Sequence, residues 1–162
     1  MVDSSAFSKI AVVTDRDDRA ERSIIDSISA SLRPIISNIT SNAWVSNIYE
    51  NSFKQNASVD FLLVVIPADK EGALETLLLE AISEKEYDKA IVSRNITYID
   101  EIQPIASEYL HKNRLKLKAC LGVTWAIQYP EKLFSFIDEQ IRSVKWEESE
   151  VLGQCFHQLK SI

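Results

Sequence analysis

FLLVVIPADKEGALETLLLEAI, residues 61–82, reads as a strand, a turn and a helix in direct succession. Phe61 to Ile66 form an unbroken apolar run of strand length, the composition of a strand covered on both faces. Pro67 to Gly72 supply the turn residues. Leu74, Leu77, Leu78, Ala81 and Ile82 then recur at helical spacing, so one side of the following helix is apolar. A buried strand feeding straight into an amphipathic helix is a building unit of α/β folds.

Working upstream, Lys9 to Thr14, KIAVVT, is a second buried-strand candidate, and it runs into the acidic turn Asp15 to Asp18, DRDD. Ile24, Ile25, Ile28 and Leu32 share one face of a helix that Pro34 stops. Trp44 to Tyr49 is a weaker strand pattern, and Asn51 to Ser58 is polar and loop-like. Downstream of Tyr87 only helical patterns remain, with apolar stripes at Ala119 to Ala126, Leu133 to Val144 and Val151 to Leu159. This order predicts an α/β fold: an open, mostly parallel sheet flanked by helices, with a helical C-terminal part. No internal repeat or linker interrupts it, so residues 1–162 read as a single domain.

The bulk numbers narrow the function classes. A formal charge of −6 argues against a passive DNA-binding protein, whose affinity rests on a basic stripe. It permits an enzyme acting on phosphates whose carboxylates hold divalent cations. Cys120 and Cys155 stand far apart in apolar helical contexts and read as buried reduced thiols. No basic-then-apolar leader and no apolar run of bilayer-spanning length is present, so a cytoplasmic protein without membrane association is expected.

Ligands of open α/β sheets bind outside the carboxyl ends of the strands. Both polar turns, 15–18 and 67–72, fall at such ends and are expected to share one crevice, with Asp15 and Asp17 at the end of a central strand. Along extended backbone Asp15 and Asp17 point to one side, where their oxygens could bracket Mg2+ or Mn2+. Asp18 is expected mainly to cap the next helix. Glu75 flanks the apolar face of its helix; it reads either as a ligand reaching the crevice or as a first-turn acid favoured by the helix dipole. HKNRLKLK, residues 111–118, is the dense basic segment, a solvated helix face or a source of phosphate contacts through one of two faces, Lys112 with Lys116 or Arg114 with Lys118. Trp44, Trp125 and Trp146 read as packing residues, and His111 and His157 as structural or exposed.

An acid-x-acid pair after a strand also occurs in haloacid-dehalogenase-type phosphatases and in receiver domains. The former usually place a small residue and then Thr or Val after the pair, where Asp18 and Arg19 stand; the latter need an Asp where Ile66 and Pro67 stand. VVTDRDD followed by an amphipathic helix, and then IPADKEGALETLLL, resembles a family of uncharacterised Toprim-like proteins related to OLD-type nucleases. The matching positions are Asp15, Asp17, Pro67, Gly72, Leu74, Glu75 and Leu77, with a Lys-bearing helix at RLKLKACLG and a closing apolar helix. The resemblance implies a Toprim-like fold and Mg2+-dependent phosphoryl transfer on nucleic acid, most simply strand cleavage. Asp15, Asp17 and Glu75 would hold the metal, and Lys116 would steady substrate charge. Two departures stand out. Thr76 replaces the family's Asp, and MVDSSAFS before the first strand contains no Glu, so the Glu-Gly strand that opens a Toprim domain is missing. The chain is then a fragment, or is completed by a protein partner or a second copy, or is a non-catalytic metal-binding or interaction module.

Overall fold

The computed structural model describes residues 7–132, 139, 141, 142, 144–146 and 148–161. Its strands are β1 (Lys9–Asp15), β2 (Trp44–Glu50) and β3 (Asn56–Ile66). They form one three-stranded sheet in the order β1-β3-β2. β1 runs parallel to β3, from Lys9 opposite Asp60 to Asp15 opposite Ile66, whereas β2 runs antiparallel to β3. The fold is α/β, but the sheet is small and mixed rather than mostly parallel. The reason is the connection between β2 and β3. Parallel neighbours need a crossover of about a dozen residues or more, and only Asn51 to Gln55 are available. They close a hairpin in which Asn51 Oδ1 accepts from the backbone N–H groups of Phe53 (2.9 Å) and Gln55 (3.0 Å).

β3 is also longer than its apolar run. Asn56 to Asp60, read as mostly loop, pair with β2 and show their neighbours only one buried side chain, Val59. A half-exposed strand end lacks the continuous apolar signal that marked Phe61 to Ile66. Leu62, Leu63, Val64 and Val65 are all 0% exposed, as befits the central strand. β1 is an edge strand, not the central one, and its burial alternates along the chain.

The chain divides into two compact units, Met1–Gly72 with Cys155–Ile162, and Ala73–Gln154. The first holds the sheet and the helix α1 (Glu21–Leu32). Ile24 of α1 is buried among Ile36, Tyr49, Val59, Phe61, Leu63 and Val65, with Ile25, Ile28 and Leu32 packed alongside, the face that helical spacing predicted. Arg33, before Pro34, is already extended and ends the helix. The buried side-chain amide of Asn47 fastens the returning chain to β2. Its Oδ1 accepts from the N–H of Ser37 (2.9 Å) and of Asn38 (2.7 Å), and its Nδ2 donates to the carbonyls of Asn38 and Val45, both at 3.1 Å.

The second unit contains α2 (Leu74–Ile82), α3 (Glu86–Ile102), α4 (Asn113–Gln128) and most of α5 (Glu150–Phe156). Leu78, Leu79, Val92, Ile99, Leu121 and Trp125 build its core. Inside it Asn95 Nδ2 donates to Thr124 Oγ1 (3.0 Å), whose hydroxyl donates to the Cys120 carbonyl (2.8 Å). The helical pattern read over Leu133 to Val144 lies for the most part outside the described residues. Glu84, just beyond α2, secures the start of α5. Its Oε1 accepts from Ser149 Oγ (2.8 Å) and from the N–H of Val151 (3.1 Å), while Ser149 Oγ accepts from the N–H of Leu152 (3.3 Å). Among the described residues no helix is long and apolar enough to cross a membrane.

Two substitutions test these polar anchors. Asn47→Ala takes the side-chain acceptor from the N–H groups of Ser37 and Asn38 and empties a buried position, and should cost about 1–3 kcal/mol in urea denaturation. Glu84→Ala should cost about 1–3 kcal/mol by the same assay, and Glu84→Gln, which keeps an acceptor oxygen, should cost less.

Candidate functional site

The parallel pairing of β1 and β3 brings the two polar turns side by side in the sheet-bearing unit. Asp15 is the last residue of β1, and the N–H of Arg16 extends the ladder by one bond to the Ile66 carbonyl (2.8 Å). The turns are then tied directly. The N–H of Asp17 donates to the Gly72 carbonyl (2.7 Å), and the N–H of Gly72 donates back to the Asp17 carbonyl (2.9 Å). Asp17 reaches this bridge with φ of 53°, a left-handed conformation that Asp tolerates better than most residues, and Gly72 with φ of 143°. The expectation that both turns meet at the carboxyl ends of strands holds for residues 15–18 and 67–72. The expectation that Asp15 and Asp17 lie along one extended stretch does not, because the bridge to Gly72 turns the backbone at Asp17.

Arg16 organises what surrounds the bridge. Its side chain is only 14% exposed, and Nη2 donates both to Glu21 Oε2 (3.1 Å) and to the Ala68 carbonyl (2.5 Å). Glu21 in turn accepts from Ser41 Oγ. One guanidinium thus links the 67–72 loop to the first turn of α1, and one carboxylate links that turn to the chain entering β2. Arg19 Nη2 donates to the Asp15 carbonyl (3.0 Å). The cap of α1 is Ala20 and makes no side-chain cap bond, so Asp18 does not cap the helix as expected. The reason is local: the N–H of Arg19 turns back to the Arg16 carbonyl (3.1 Å), the turn uses up Asp18, and the helix starts only at Glu21.

Three buried polar atoms have no hydrogen-bond partner among the described residues: Arg16 Nε, Asp17 Oδ1 and Asn42 Oδ1. Such groups are rare in folded proteins and each carries a desolvation cost of about 1–3 kcal/mol. All three belong to the turns and entry segments at one end of the sheet. Asp17 Oδ1 is a hard, anionic acceptor, the donor type that Mg2+ and Mn2+ take. Two carboxylates are enough for Mg2+, which keeps several of its waters. Asp15, at the end of β1, is an acid of the same turn that could join Asp17 in such a set.

The other predicted site residues lie in the helical unit. Glu75 stands in the first turn of α2 and is ion-paired with Lys118. Lys116 pairs instead with Asp100 of α3, Nζ to Oδ1 at 2.7 Å. Two positions apart on α4, these lysines point to different sides, one toward α3 and the other toward α2. Among the described residues no group of three or more His, Cys, Asp or Glu side chains is gathered as metal ligands would be. Burial first, and then Asp69, pushes the Cys155 thiol up to about 11, and burial with Asp100 raises Cys120 against the lowering hydrogen bond from Thr124. Trp125 is a core residue, 5% exposed, as read from its pattern.

Reading the sequence missed Arg16, Glu21, Ser41 and Asn42. Arg16 sits in DRDD between two acids, a position that signals a solvated ion pair as readily as a buried strut. Ser41 and Asn42 carry no pattern. Comparison with the known protein families, with curated proteins and with solved structures found no match for this chain.

Proposed function

We propose that the turn formed by Asp15, Arg16 and Asp17 binds a divalent cation, Mg2+ or Mn2+, and that the domain is a Toprim-like one acting on the phosphodiesters of nucleic acid. The observation that carries this reading is the pair of buried, unpartnered atoms on consecutive residues, an anionic acceptor at Asp17 Oδ1 and a cationic donor at Arg16 Nε. A metal-bound phosphate satisfies both at once, the cation on the carboxylate and a phosphate oxygen on the guanidinium. When bound, the cation supplies polarisation of the phosphate and activation of the attacking oxygen. Asp15 and Asp17 hold it, and Arg16 orients the phosphate. Both unpartnered atoms are covered in this conformation, so loading the site takes a shift of the 67–72 loop that Arg16 and Asp17 hold. Glu75 and Lys116 are left out of this set because Lys118 and Asp100 engage them.

A second reading, a non-catalytic metal-binding or interaction module, draws on the same two ion pairs and on the absence of a third gathered acid among the described residues. A cation that binds the folded state alone stabilises it by mass action, about 2.7 kcal/mol at roughly a hundred times its Kd. Millimolar Mg2+ or Mn2+ should then raise Tm by roughly 5–10 °C. Asp17→Asn should remove that response and leave the metal-free fold intact, whereas Glu75→Gln should retain it. No shift in the wild-type protein would defeat the cation site.

Activity separates the two readings. A positioned acid or base contributes about 10²–10⁴-fold to such reactions, and residues 1–8 contain no Glu. The chain alone should nick supercoiled plasmid weakly or not at all with Mg2+. Adding a strand ending in Glu-Gly ahead of β1 should raise nicking by at least about tenfold. Strong nicking without that strand, abolished by Asp15→Asn, would show that the missing Glu is not required; no nicking in either form would favour the non-catalytic module.

A further inference from the structure

The sheet-bearing unit carries a second polar concavity, away from the acidic turn. A groove of about 420 Å3 runs between one face of α1 and the segment after it, with Arg22, Asp26, Ser29 and Arg33 among the residues of its helical wall and Ser37, Asn38 and Ile39 on the other. Its helical wall follows from spacing. Arg22, Asp26, Ser29 and Arg33 recur every three or four residues and form one stripe, opposite the side on which Ile24 is buried. Its other wall is preformed, because buried Asn47 holds the N–H groups of Ser37 and Asn38 and the Asn38 carbonyl.

The chemistry of the lining is that of an anion site. Arg33 has no ion pair among the described residues, and Arg22 is held only by Asp26 (3.1 Å) in a pair whose side chains are 82% and 60% exposed. Solvent screens such a pair, so the Arg22 guanidinium can exchange that partner for an anion at little cost. The Ser29 hydroxyl and the Asn38 side-chain amide make no other hydrogen bond among the described residues and add neutral donors. Arg22 stands in the first turn of α1 and Arg33 directly after its last residue, which sets them roughly 16 Å apart along the helix. That spacing suits two phosphates of one chain better than a single anion. No aromatic side chain lines the groove, so bases have no stacking platform.

We infer that this groove binds the phosphate backbone of single-stranded nucleic acid, with Arg22 and Arg33 as the two phosphate contacts. The inference rests on the proposed action on nucleic acid and adds to it a strand-holding surface apart from the cation site. Two neutralised phosphates on a single strand predict a logarithmic salt slope of about −1.4, independent of base sequence.

The test is fluorescence anisotropy of a short labelled oligothymidylate with the full chain in EDTA, titrated across salt concentrations. The expected result is measurable binding at low salt, a slope near −1.4, and a fall to about −0.7 in Arg22→Ala or Arg33→Ala. Arg22→Ala/Arg33→Ala should lose binding, while Arg22→Lys/Arg33→Lys, which keeps both charges, should retain most of it. Circular dichroism and Tm of each variant exclude unfolding as the cause. Binding that survives the double alanine change with an unchanged slope overturns the groove and leaves the nucleic-acid reading standing. Failure of the wild-type chain to bind at low salt overturns the nucleic-acid reading and the groove together.

Discussion

Burial of β3 on both faces is the constraint from which the sheet-bearing unit follows. A strand whose Leu62 to Val65 are 0% exposed must satisfy every backbone polar group through neighbours, and β1 and β2 do this on its two edges. The parallel register with β1 carries Asp15 to the level of Ile66. From there one further ladder bond at Arg16 and the reciprocal pair between Asp17 and Gly72 follow in sequence. The polar centre is thus an extension of strand pairing beyond the strands, and its geometry is inherited from an apolar core.

That inheritance comes with an imperfect fit. Strand pairing determines where the backbones of residues 15–17 and 66–72 lie, and the side chains must take what space remains. Arg16 finds two acceptors for Nη2 and none for Nε; Asp17 keeps one oxygen without a partner. In a purely structural turn, replacing either residue by a smaller neutral one would relieve an uncompensated polar burial. Burying both is costly in folding, and in so dry a setting their electrostatic interactions strengthen as local dielectric falls.

Much of the fold was legible in residue patterns. KIAVVT and FLLVVI each became strands, and the apolar stripes of α1, α2 and α4 pack as their spacing implied. Two features were misread for identifiable reasons. The direction of β2 was encoded in the length of the Asn51–Gln55 connection, a constraint stronger than the strand order used to infer a parallel sheet. The start of α1 was set by a backbone turn from Arg19 to Arg16, which competes with capping by Asp18 and leaves no mark in composition. The site was half legible: the acidic turn and its place at a strand end could be read, whereas Arg16, Glu21, Ser41 and Asn42 are joined by contacts between residues far apart in sequence. The partners of Glu75 and Lys116 were hidden likewise, since which lysine of RLKLK meets which acid depends on how α2 and α3 pack on α4.

Net charge turns out to be a poor guide to where this chain can meet an anion. The total is −6, yet four of its seven arginines fall between Arg16 and Arg33. Two of them, Arg16 and Arg19, bond to backbone carbonyls around the acidic turn and act as struts. The other two, Arg22 and Arg33, line the groove of α1. At physiological ionic strength charges are screened over about 8 Å, so acids elsewhere on the surface weigh little against a guanidinium at contact distance. What an anion meets is the local arrangement of donors, and α1 sorts its arginines by position: Arg16 and Arg19, before the helix, bond within the turn through Nη2, and Arg22 and Arg33 lie on the outer stripe. The same periodicity that buries Ile24 therefore sets the Arg22 and Arg33 stripe of α1 apart from the acidic turn that precedes the helix.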